Sequence, residues 1–291
     1  MLQNEGLDEF VAHRDLLFTV AYEMLGSAAD AEDVLQETWM RWAAVDHGTV
    51  EFPRAYLVRI TTRQALTRLR VLGRRKELYV GPWLPEPLRT APDVADDVEL
   101  ADSVSTAMLL VLETLNPVER AVFVLREVFD VDYDEIADAV GKTPAAVRQI
   151  AHRARAHVAA RRPRVAVTAA ETRAALDAFR RAVETGEIQR LVDVLAPDVV
   201  LLGDGGGIVQ AALAPVLGLD AVMTLLARIS VGVVSVTDSE VNGRPALIMT
   251  SGDSIQAVVT TRVQEGRIAA LYIVRNPEKL SRLAEPTPLR R

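Results

Sequence analysis

The sequence predicts a multidomain protein: two all-α domains, the second with a helix-turn-helix, followed by an α+β domain. Apolar residues recur at helical spacing through residues 1–80 and again through residues 105–165. A proline-rich acidic linker over residues 81–104 separates these two segments. From residue 166 to residue 291, two helical segments precede β-branched runs punctuated by glycine and asparagine, which is typical of an α+β domain with a mostly antiparallel sheet.

Composition restricts the class of protein. The 291 residues suffice for two or three domains with separate cores, and a hydrophobic content of 49% is ordinary for a globular protein. The absence of cysteine excludes disulfides and thiolate metal sites and fits a reducing compartment. Glu5, Asp8 and Glu9 stand where a signal peptide carries basic residues, and no apolar run is long enough to span a membrane. We expect a cytoplasmic protein with no membrane segment, cofactor or metal.

Three helices are predicted in the first domain. The first passes through Leu17 and Leu25 and stops at Gly26, and the second begins near Asp30. The third begins after Pro53, a residue suited to a first helical turn, and its apolar face continues to Gly73. Together they predict one compact all-α unit.

Basic residues are concentrated in two acid-free stretches, although the net charge of −7 argues superficially against nucleic acid. The stretches extend from Arg54 to Lys76 and from Gly141 to Arg164. They are interpreted as two footprints for a phosphate backbone. A pair of solvated helix faces is the alternative that charge alone leaves open.

The second all-α domain carries helix-start signals. Asn116 with Pro117 opens a helix that is expected to run to Phe129. Asp132 is expected to cap the next helix, with Glu135 three residues later in a capping-box-like arrangement.

Residues 132–158 predict a helix-turn-helix. A short helix ends at Gly141, Thr143 caps a second helix, and Pro144 occupies its first position. A plain helical hairpin is the alternative, which the basic outer face disfavours. The residues expected on the DNA-facing side are Lys142, Thr143, Arg148, Gln149, His152, Arg153 and Arg155.

These residues divide by expected role. Arg148 and Gln149 are candidates for reading base edges, whereas Arg153 and Arg155 are candidates for holding phosphates. His152 stays open between base reading, phosphate contact and packing.

The segment Asp30–Trp42 carries a second signal. In a helix Asp33, Gln36, Glu37 and Met40 share one face, which is acidic and partly apolar and suits a protein partner rather than DNA. At least one of the two tryptophans in this segment is expected in the core.

The helix Asp30–Trp42, the helix after Pro53 and the distal helix-turn-helix, in that order and separation, resemble the second and fourth domains of extracytoplasmic-function (ECF) sigma factors over residues 8–165. The resemblance implies that the first helix binds the β′ clamp helices of core RNA polymerase, with the β flap as a second contact. It implies that residues 53–75 melt and hold the promoter minus-ten element and that the helix-turn-helix binds the minus-thirty-five element. The residues expected to bind polymerase are Asp30, Asp33, Gln36, Glu37 and Met40. The residues expected to bind the minus-ten element are Arg54, Tyr56, Arg59, Thr62 and Arg63.

In the minus-ten set, Arg59, Thr62 and Arg63 are expected to reach the phosphates and bases of a melted strand. Tyr56 is a candidate stacking surface, with a core position as its alternative.

A narrower resemblance is to the SigJ-like subgroup, in which a SnoaL-like domain of cone-shaped NTF-type fold follows the fourth domain. Ile208 stands where the subgroup usually has lysine, and Glu278 stands where aspartate is usual. The matching motifs, which the resemblance implies to be regulatory contacts, are Trp83, Leu84 and Pro85 in the linker, then Asp204, Gly205, Gly206 and Gly207, then Asn276, Pro277, Glu278, Lys279 and Leu280.

Two of these motifs also have a physical interpretation. Trp83 between prolines is a stiff apolar group that can dock in a groove at low entropic cost, and an ordinary spacer is its alternative. Asp204 before three glycines indicates a tight turn or a close backbone approach. A phosphate-binding loop is disfavoured because no helix with a Lys-Ser/Thr pair follows.

The C-terminal domain is expected to regulate rather than to catalyse. SnoaL-like folds include cyclases and isomerases, but the four histidines of the chain all precede residue 166. Asp204 and Asp253 are the candidate bases and Tyr272 the candidate donor, and no pattern fixes their geometry. We expect this domain to contact the linker and one or both sigma domains.

The sequence therefore predicts an ECF sigma factor that binds core RNA polymerase and promoter DNA and is modulated by its C-terminal domain. An anti-sigma partner is possible but not required. The alternative is a ligand-responsive helix-turn-helix repressor with the cone as its sensor. It leaves the helix Asp30–Trp42 and the first basic stretch without a role. Repressors of that kind also generally dimerise to read paired half-sites.

Overall fold

The computed structural model describes residues 2–91, 94, 97–161, 167–185, 188–228 and 235–291, without the side chains of residues 2–5 and 188. They form two compact units. The first comprises Met1–Glu77, Met108–Arg162 and Pro288–Arg291, and the second comprises Leu78–Ala107 and Pro163–Thr287. Most of the expected linker thus groups with the C-terminal residues. Parts of the predicted linker (residues 92, 93, 95 and 96), the end of the basic stretch that runs to Arg164, and residues 229–234, which include part of the predicted β-branched run Val231–Val236, lie outside the described residues.

The helices and strands are numbered in chain order. The helices are α1 (Leu2–Leu25), α2 (Ala28–Ala43), α3 (Pro53–Glu77), α4 (Val98–Ser103), α5 (Thr106–Leu112), α6 (Pro117–Phe123), α7 (Tyr133–Val140), α8 (Pro144–Arg161), α9 (Ala169–Thr185), α10 (Ile188–Val194), α11 (Leu219–Arg228) and α12 (Pro277–Leu280). The strands are β1 (Leu195–Asp204), β2 (Val216–Leu217), β3 (Ser235–Val241), β4 (Arg244–Ser251), β5 (Ser254–Gln264) and β6 (Arg267–Val274). A 3-10 turn spans His47–Thr49 and a π turn spans Val124–Val128.

In the first unit α1, α2 and α3 pack on one another, as predicted. Gly26 ends α1 in the left-handed conformation, with φ 69°. Ser27 then caps α2 by accepting the Asp30 N–H at 3.2 Å, so α2 begins two residues earlier than predicted. The helix α3 extends beyond Gly73, to which its apolar face was predicted to continue. A glycine inside a helix costs only about 1 kcal/mol, and α3 continues for another turn.

The second half of the first unit contains α6, α7 and α8, and α3 packs against both α6 and α7. Asn116 and Glu119 form a complete capping box at the start of α6. The capping box predicted at Asp132 is wrong, because Asp132 precedes α7 but its side chain makes no capping bond. The helix predicted to reach Phe129 ends as an α-helix at Phe123 and continues as the π turn.

The second unit is an α+β fold with a six-stranded sheet in the order β2-β1-β6-β5-β4-β3. Every neighbouring pair is antiparallel except β1 and β6, which run parallel. The sequence did not predict β2 or α11. The apolar core between the sheet and α9, α10 and α11 is filled by side chains that include Leu176, Phe179, Val222, Leu247, Val259 and Leu271.

Across the described part of the chain, no helix combines the length and the apolar character needed to cross a membrane.

Candidate functional site

The helix-turn-helix of α7 and α8 is built by local turn chemistry. Gly141 follows α7 with φ 68°, a left-handed conformation that favours glycine. The Thr143 hydroxyl accepts the Ala146 N–H at 3.3 Å, so Thr143 caps α8 as predicted, and Pro144 opens the helix. Val147, Ile150, Ala151, Ala154 and Val158 are buried.

The outer face of this motif is exposed and basic. Arg153 lies 3.9 Å from Glu119, and Arg155 lies 3.4 Å from Glu127. Exposed ion pairs of this kind contribute about 0–1 kcal/mol, so phosphates can displace them at little cost. The predicted residues Lys142, Thr143, Arg148, Gln149, His152, Arg153 and Arg155 are all exposed.

The face of α2 carries most of the predicted protein-binding side chains. Gln36, Glu37 and Met40 are exposed, and Met40 is 63% accessible. Asp33 is also exposed, although its carboxylate accepts a hydrogen bond from Arg68 at 2.7 Å. Met40 therefore forms an apolar point among polar and acidic neighbours.

The expectation that Asp30 belongs to this surface is wrong. Asp30 is only 4% exposed, and its carboxylate accepts Arg68 Nε at 2.6 Å. A buried carboxylate is stable when it is ion-paired, so Asp30 ties α2 to α3 instead of facing a partner. Trp42 is the core tryptophan, 1% exposed, and its Nε1 donates to Gly6 O at 2.6 Å.

The predicted minus-ten residues on α3 divide into exposed and buried members. Arg54 is exposed and Arg59 is half-buried. The Arg59 guanidinium lies 4.7 Å from the centre of the Tyr56 ring, and that ring is 5.8 Å from the Trp42 ring. Tyr56 is therefore half-buried, between Trp42 in the core and Arg59 near the surface.

The other two predicted residues differ in exposure, and only Arg63 is bonded to the helix-turn-helix. Thr62 is fully buried, so the expectation that it is presented to DNA is wrong in this arrangement. Arg63 is exposed but donates from Nη2 to Asp138 O at 2.6 Å and from Nε to Ala139 O at 3.4 Å.

A partly buried ion cluster, unrecognised in the sequence, joins the two halves of the first unit. Arg120 is 2% exposed, donates to Glu113 at 2.6 Å, and donates to the carbonyl of Glu23 in α1 at 2.9 Å. Lys76 at the end of α3 is paired with the other oxygen of Glu113. We call Lys76, Glu113 and Arg120 the ion cluster.

The electrostatics of the ion cluster follow from two cations sharing one carboxylate. Burial alone would raise the pKa of Glu113, but Arg120 and Lys76 outweigh it and hold that pKa below its usual value. The pKa of Lys76 is also lowered, because burial outweighs the attraction of Glu113 and Arg120 repels the second charge.

Asp204 is the centre of the second unit's polar contacts. It is fully buried at the end of β1. One carboxylate oxygen accepts the Tyr79 hydroxyl at 2.5 Å, and the other accepts the backbone N–H of Leu84 at 2.9 Å. That second oxygen also accepts Lys279 Nζ at 2.8 Å. Its backbone carbonyl accepts the N–H of Asn276 at 2.9 Å.

Lys279 completes this arrangement from α12. Its Nζ donates to Leu84 O at 2.6 Å and lies 3.5 Å from the centre of the Trp83 ring and 5.0 Å from that of Tyr79. Asn276 donates to the Tyr79 hydroxyl at 2.8 Å. We call Tyr79, Trp83, Leu84, Asp204, Asn276 and Lys279 the linker-docking site.

The linker-docking site brings the three sequence motifs together. Leu84 and Pro85 are buried, so the interpretation of this segment as an ordinary spacer is wrong. Burial and the hydrogen bond to Asp204 raise the pKa of Tyr79, which therefore stays a neutral donor. The sequence did not indicate Tyr79 as a contact residue, because it lies before the linker motif that begins at Trp83. Leu280 is buried, and Pro277 and Glu278 are exposed.

The glycines after Asp204 allow both the turn and the close approach that the sequence predicted. A Cβ on Gly205 would lie 2.2 Å from Val209 O. A Cβ on Gly206, where φ is +64°, would lie 2.4 Å from Asn276 Nδ2. Gly207 has φ +73° and lies against Val80. Ile208, the departure from the subgroup, is 55% exposed.

Asn242 forms a second anchor for the linker that the sequence did not reveal. Asn242 and Gly243, with φ 54° and 66°, make the two-residue hairpin between β3 and β4. The Asn242 side chain accepts the Leu88 N–H at 2.9 Å and donates to Val104 O at 2.8 Å. The Asn-Gly pair is visible as a turn, but nothing local shows that its side chain faces a distant segment.

The candidate catalytic residues do not meet in the cone. Asp204 is engaged by the linker, and Asp253 is exposed in the turn between β4 and β5. Tyr272 lies on the opposite face of β6 from Leu271, which belongs to the apolar core. None of these three candidates belongs to the apolar core between the sheet and the helices.

Comparisons with known proteins cover both units. Residues 10–75 match Sigma-70 region 2, and residues 105–158 match Sigma-70, region 4. The chain is 33% identical over 310 residues to the ECF RNA polymerase sigma factor SigJ of Mycobacterium tuberculosis strain H37Rv, covering 97% of both chains. It is 31% identical over 276 residues to the probable ECF RNA polymerase sigma factor SigI of the same species, covering 94% of this chain and 93% of that one.

A solved structure agrees. The crystal structure of the Mycobacterium tuberculosis extracytoplasmic function sigma factor SigJ matches with a TM-score of 0.76 at 32% identity, over 96% of this chain and 99% of that chain. The match includes the C-terminal sheet, in agreement with the SnoaL-like domain expected from the sequence.

Proposed function

Because this chain belongs to the extracytoplasmic-function family of RNA polymerase sigma factors, which direct transcription initiation, we propose that its exposed surfaces divide that task between polymerase and promoter. One observation carries this proposal. The first unit exposes an acidic, partly apolar face on α2 and a basic recognition helix, α8. A protein acting on polymerase and chromosomal DNA works in the cytoplasm, and we propose that location.

The face of α2 binds the β′ clamp helices of core polymerase. Met40 supplies a desolvated apolar contact at its centre, while Asp33, Gln36 and Glu37 give orientation and charge complementarity. The region of the helix-turn-helix contacts the β flap, as the family resemblance implies.

The promoter is held at two elements, the minus-ten element by a domain over residues 1–80 that also binds polymerase and the minus-thirty-five element by a domain over residues 105–165. Arg148 and Gln149 read base edges of the minus-thirty-five element, and Arg153 and Arg155 hold its phosphates. Arg54, Tyr56, Arg59 and Arg63 hold the minus-ten strand. The full set of residues assigned to promoter contacts is Arg54, Tyr56, Arg59, Arg63, Lys142, Thr143, Arg148, Gln149, His152, Arg153 and Arg155.

The C-terminal domain, residues 166–291, regulates these domains through the linker over residues 81–104 and has no catalytic role. The linker joins α3 to the second half of the first unit, so fixing it at Asp204 and Asn242 limits how far the two halves separate. Buried polar anchors of this kind define one linker path, because each leaves an unpaired group if the path changes. No anti-sigma partner is required.

Run-off transcription with core polymerase on a promoter pool from the source genome tests the proposal. Full-length protein is expected to give promoter-specific transcripts. Met40→Asp is expected to lose core binding while keeping duplex DNA binding. Leu213→Asp, at a comparably exposed position in the second unit, should change neither. No transcripts and no core binding, with duplex binding retained, would instead favour the ligand-responsive repressor.

A further inference from the structure

We propose that Arg262 and Tyr272, on the outer face of the sheet in the second unit, bind the carboxylate group of a small molecule. The outer face is the face opposite the apolar core, and it carries the side chains of Thr260, Arg262, Ala270 and Tyr272. None of the residues proposed to contact polymerase or promoter lies on this sheet, so the inference goes beyond the proposed function. It also differs from binding inside the cone, where the apolar core fills the space between the sheet and the helices.

The strand register makes Arg262 and Tyr272 neighbours. Tyr272 on β6 is paired with Thr260 on β5, and Ala270 is paired with Arg262. Residues two apart along a strand share a face, so Arg262 lies diagonally across from Tyr272. Diagonal neighbours are roughly 7–8 Å apart, a distance that long and aromatic side chains can span. One ligand can therefore contact both side chains.

Arg262 is an arginine without an acceptor in the described part of the second unit. By contrast, Arg173 contacts Glu240 at 2.6 Å. Arg244 contacts Asp102 at 3.1 Å. Arg262 forms no hydrogen bond or ion pair with any residue that the structure describes, although its side chain is half-buried and its Nε is fully buried. Taking a guanidinium out of water costs free energy unless an acceptor replaces the water, so an anionic acceptor would stabilise this group.

Tyr272 places a hydroxyl donor beside the guanidinium. Its side chain is 7% exposed, and its hydroxyl has no hydrogen-bond partner within the described ranges of the chain. Burial raises the pKa of Tyr272, and the positive charge of Arg262 acts in the opposite direction, so the two groups lie within electrostatic range of each other. Tyr272 is therefore a neutral phenol at neutral pH, with one O–H group to donate.

The donors and the charge favour a carboxylate. The planar guanidinium of Arg262 matches the two oxygens of a carboxylate, and the Tyr272 hydroxyl can donate to one of them. A carboxylate also brings one negative charge to one positive charge. A sulfate or phosphate dianion would leave a surplus negative charge in a mostly buried place, which costs free energy.

The position of this pair connects a ligand to the segment that follows the linker. Thr260, the strand partner of Tyr272, donates to the hydroxyl of Thr106 at 3.2 Å. Thr106 is the first residue of α5, and both threonines are buried. A carboxylate held by Arg262 and Tyr272 therefore lies next to the contact between the sheet and the start of α5.

Fluorine NMR of the full chain tests for this site. The chain has five tyrosines, so labelling with 3-fluorotyrosine gives a small set of resonances, and Tyr272→Phe identifies the one from Tyr272. The probe is sodium benzoate, with sodium chloride holding the ionic strength constant, and sodium sulfate is titrated in parallel. Benzoate is expected to shift the Tyr272 resonance to saturation with a Kd of about 10 mM or lower, in the range for a ligand of this size. Sulfate should bind roughly tenfold more weakly or not at all.

Two arginine variants separate the site from its surroundings. Arg262→Met keeps the apolar stem and removes the donors, so the Kd for benzoate should rise roughly tenfold or more. Arg267→Met is the matched control and should leave the Kd unchanged, because Arg267 is exposed at the start of β6 and donates to Leu195 O at 3.5 Å.

Stability without benzoate distinguishes a binding role of Arg262 from a structural one. Arg262→Met should unfold at the same temperature as wild type or at a higher one, because the substitution removes a charge that has no acceptor among the described residues. A lower unfolding midpoint would assign Arg262 to the structure of the sheet and overturn the proposal.

The titrations can overturn the proposal in three ways. Benzoate may not leave the Tyr272 resonance in place up to roughly 50 mM, nor shift it equally in Arg262→Met. Sulfate binding as tight as benzoate binding would overturn the assignment to carboxylates. If Arg262→Met does not fold, Arg262→Lys replaces it, because lysine keeps the charge and loses the planar fork, and an unchanged Kd then counts against the site. No polymerase or DNA is present, so none of these outcomes depends on the proposed function.

Discussion

Replacing Asp204 with asparagine tests the linker-docking site most directly. The substitution keeps the shape of the side chain, so it opens no cavity. One carboxylate oxygen becomes an amide nitrogen, which cannot accept the Leu84 N–H at 2.9 Å or Lys279 Nζ at 2.8 Å. If the amide nitrogen points toward Leu84 and Lys279, it is a donor facing two other donors. If the amide turns the other way, the Tyr79 hydroxyl loses its acceptor.

The magnitude follows from burial. The side chains of Lys279 and Asp204 are 8% and 0% exposed, and removing one partner of a buried pair costs about 3–5 kcal/mol. Lys279 keeps Leu84 O and the Trp83 ring, so we expect the lower end, about 3 kcal/mol. At roughly 2–4 °C per kcal/mol for a unit of this size, the unfolding midpoint of the second unit should fall by roughly 6–12 °C.

Differential scanning calorimetry of the full chain measures the shift. Asp253→Asn makes the same change at an exposed turn and should stay within about 0.5 kcal/mol of wild type. Lys279→Met added to Asp204→Asn should restore part of the loss, because it removes the unpaired buried charge. A midpoint shift for Asp204→Asn no larger than that for Asp253→Asn would refute the assignment of Asp204 as the centre of this site.

Other perturbations test the remaining features. Gly206→Ala should destabilise the second unit by about 1–3 kcal/mol more than Gly218→Ala in urea titrations, because both have positive φ but only the first Cβ would clash, 2.4 Å from a side-chain amide. The stability advantage of wild type over Glu113→Gln should be full above about pH 4.3, the unfolded value. It should shrink as pH falls through the depressed folded pKa, which Arg120 holds down against burial; a difference independent of pH would contradict the ion cluster. Arg148→Ala should relax selectivity at one base pair by about 1–3 kcal/mol in duplex binding titrations, whereas a uniform loss across sequences would indicate a phosphate contact instead.

The sequence by itself determined the features that depend on near neighbours in the chain. Gly141, Thr143 and Pro144 specify the turn and start of α8 through their own conformations and one local hydrogen bond. Helical spacing and the position of basic residues then place the DNA-facing side outward, because burial of the apolar stripe leaves the opposite face exposed. The class of each domain, all-α or α+β, is predicted from the same kind of local pattern, the spacing of apolar residues along the chain.

Only the tertiary structure decided which polar residues are buried. Asp30 and Asp33 look alike in the sequence, and both accept hydrogen bonds from Arg68 in the next helix, yet Asp30 is 4% exposed while Asp33 faces solvent. Asp204 and Asn242 look like turn residues, and they anchor a linker more than a hundred residues earlier in the chain. A buried charge or amide is stable only when another group pairs with it. For these residues that group is distant in the sequence, so its identity depends on how the whole chain packs.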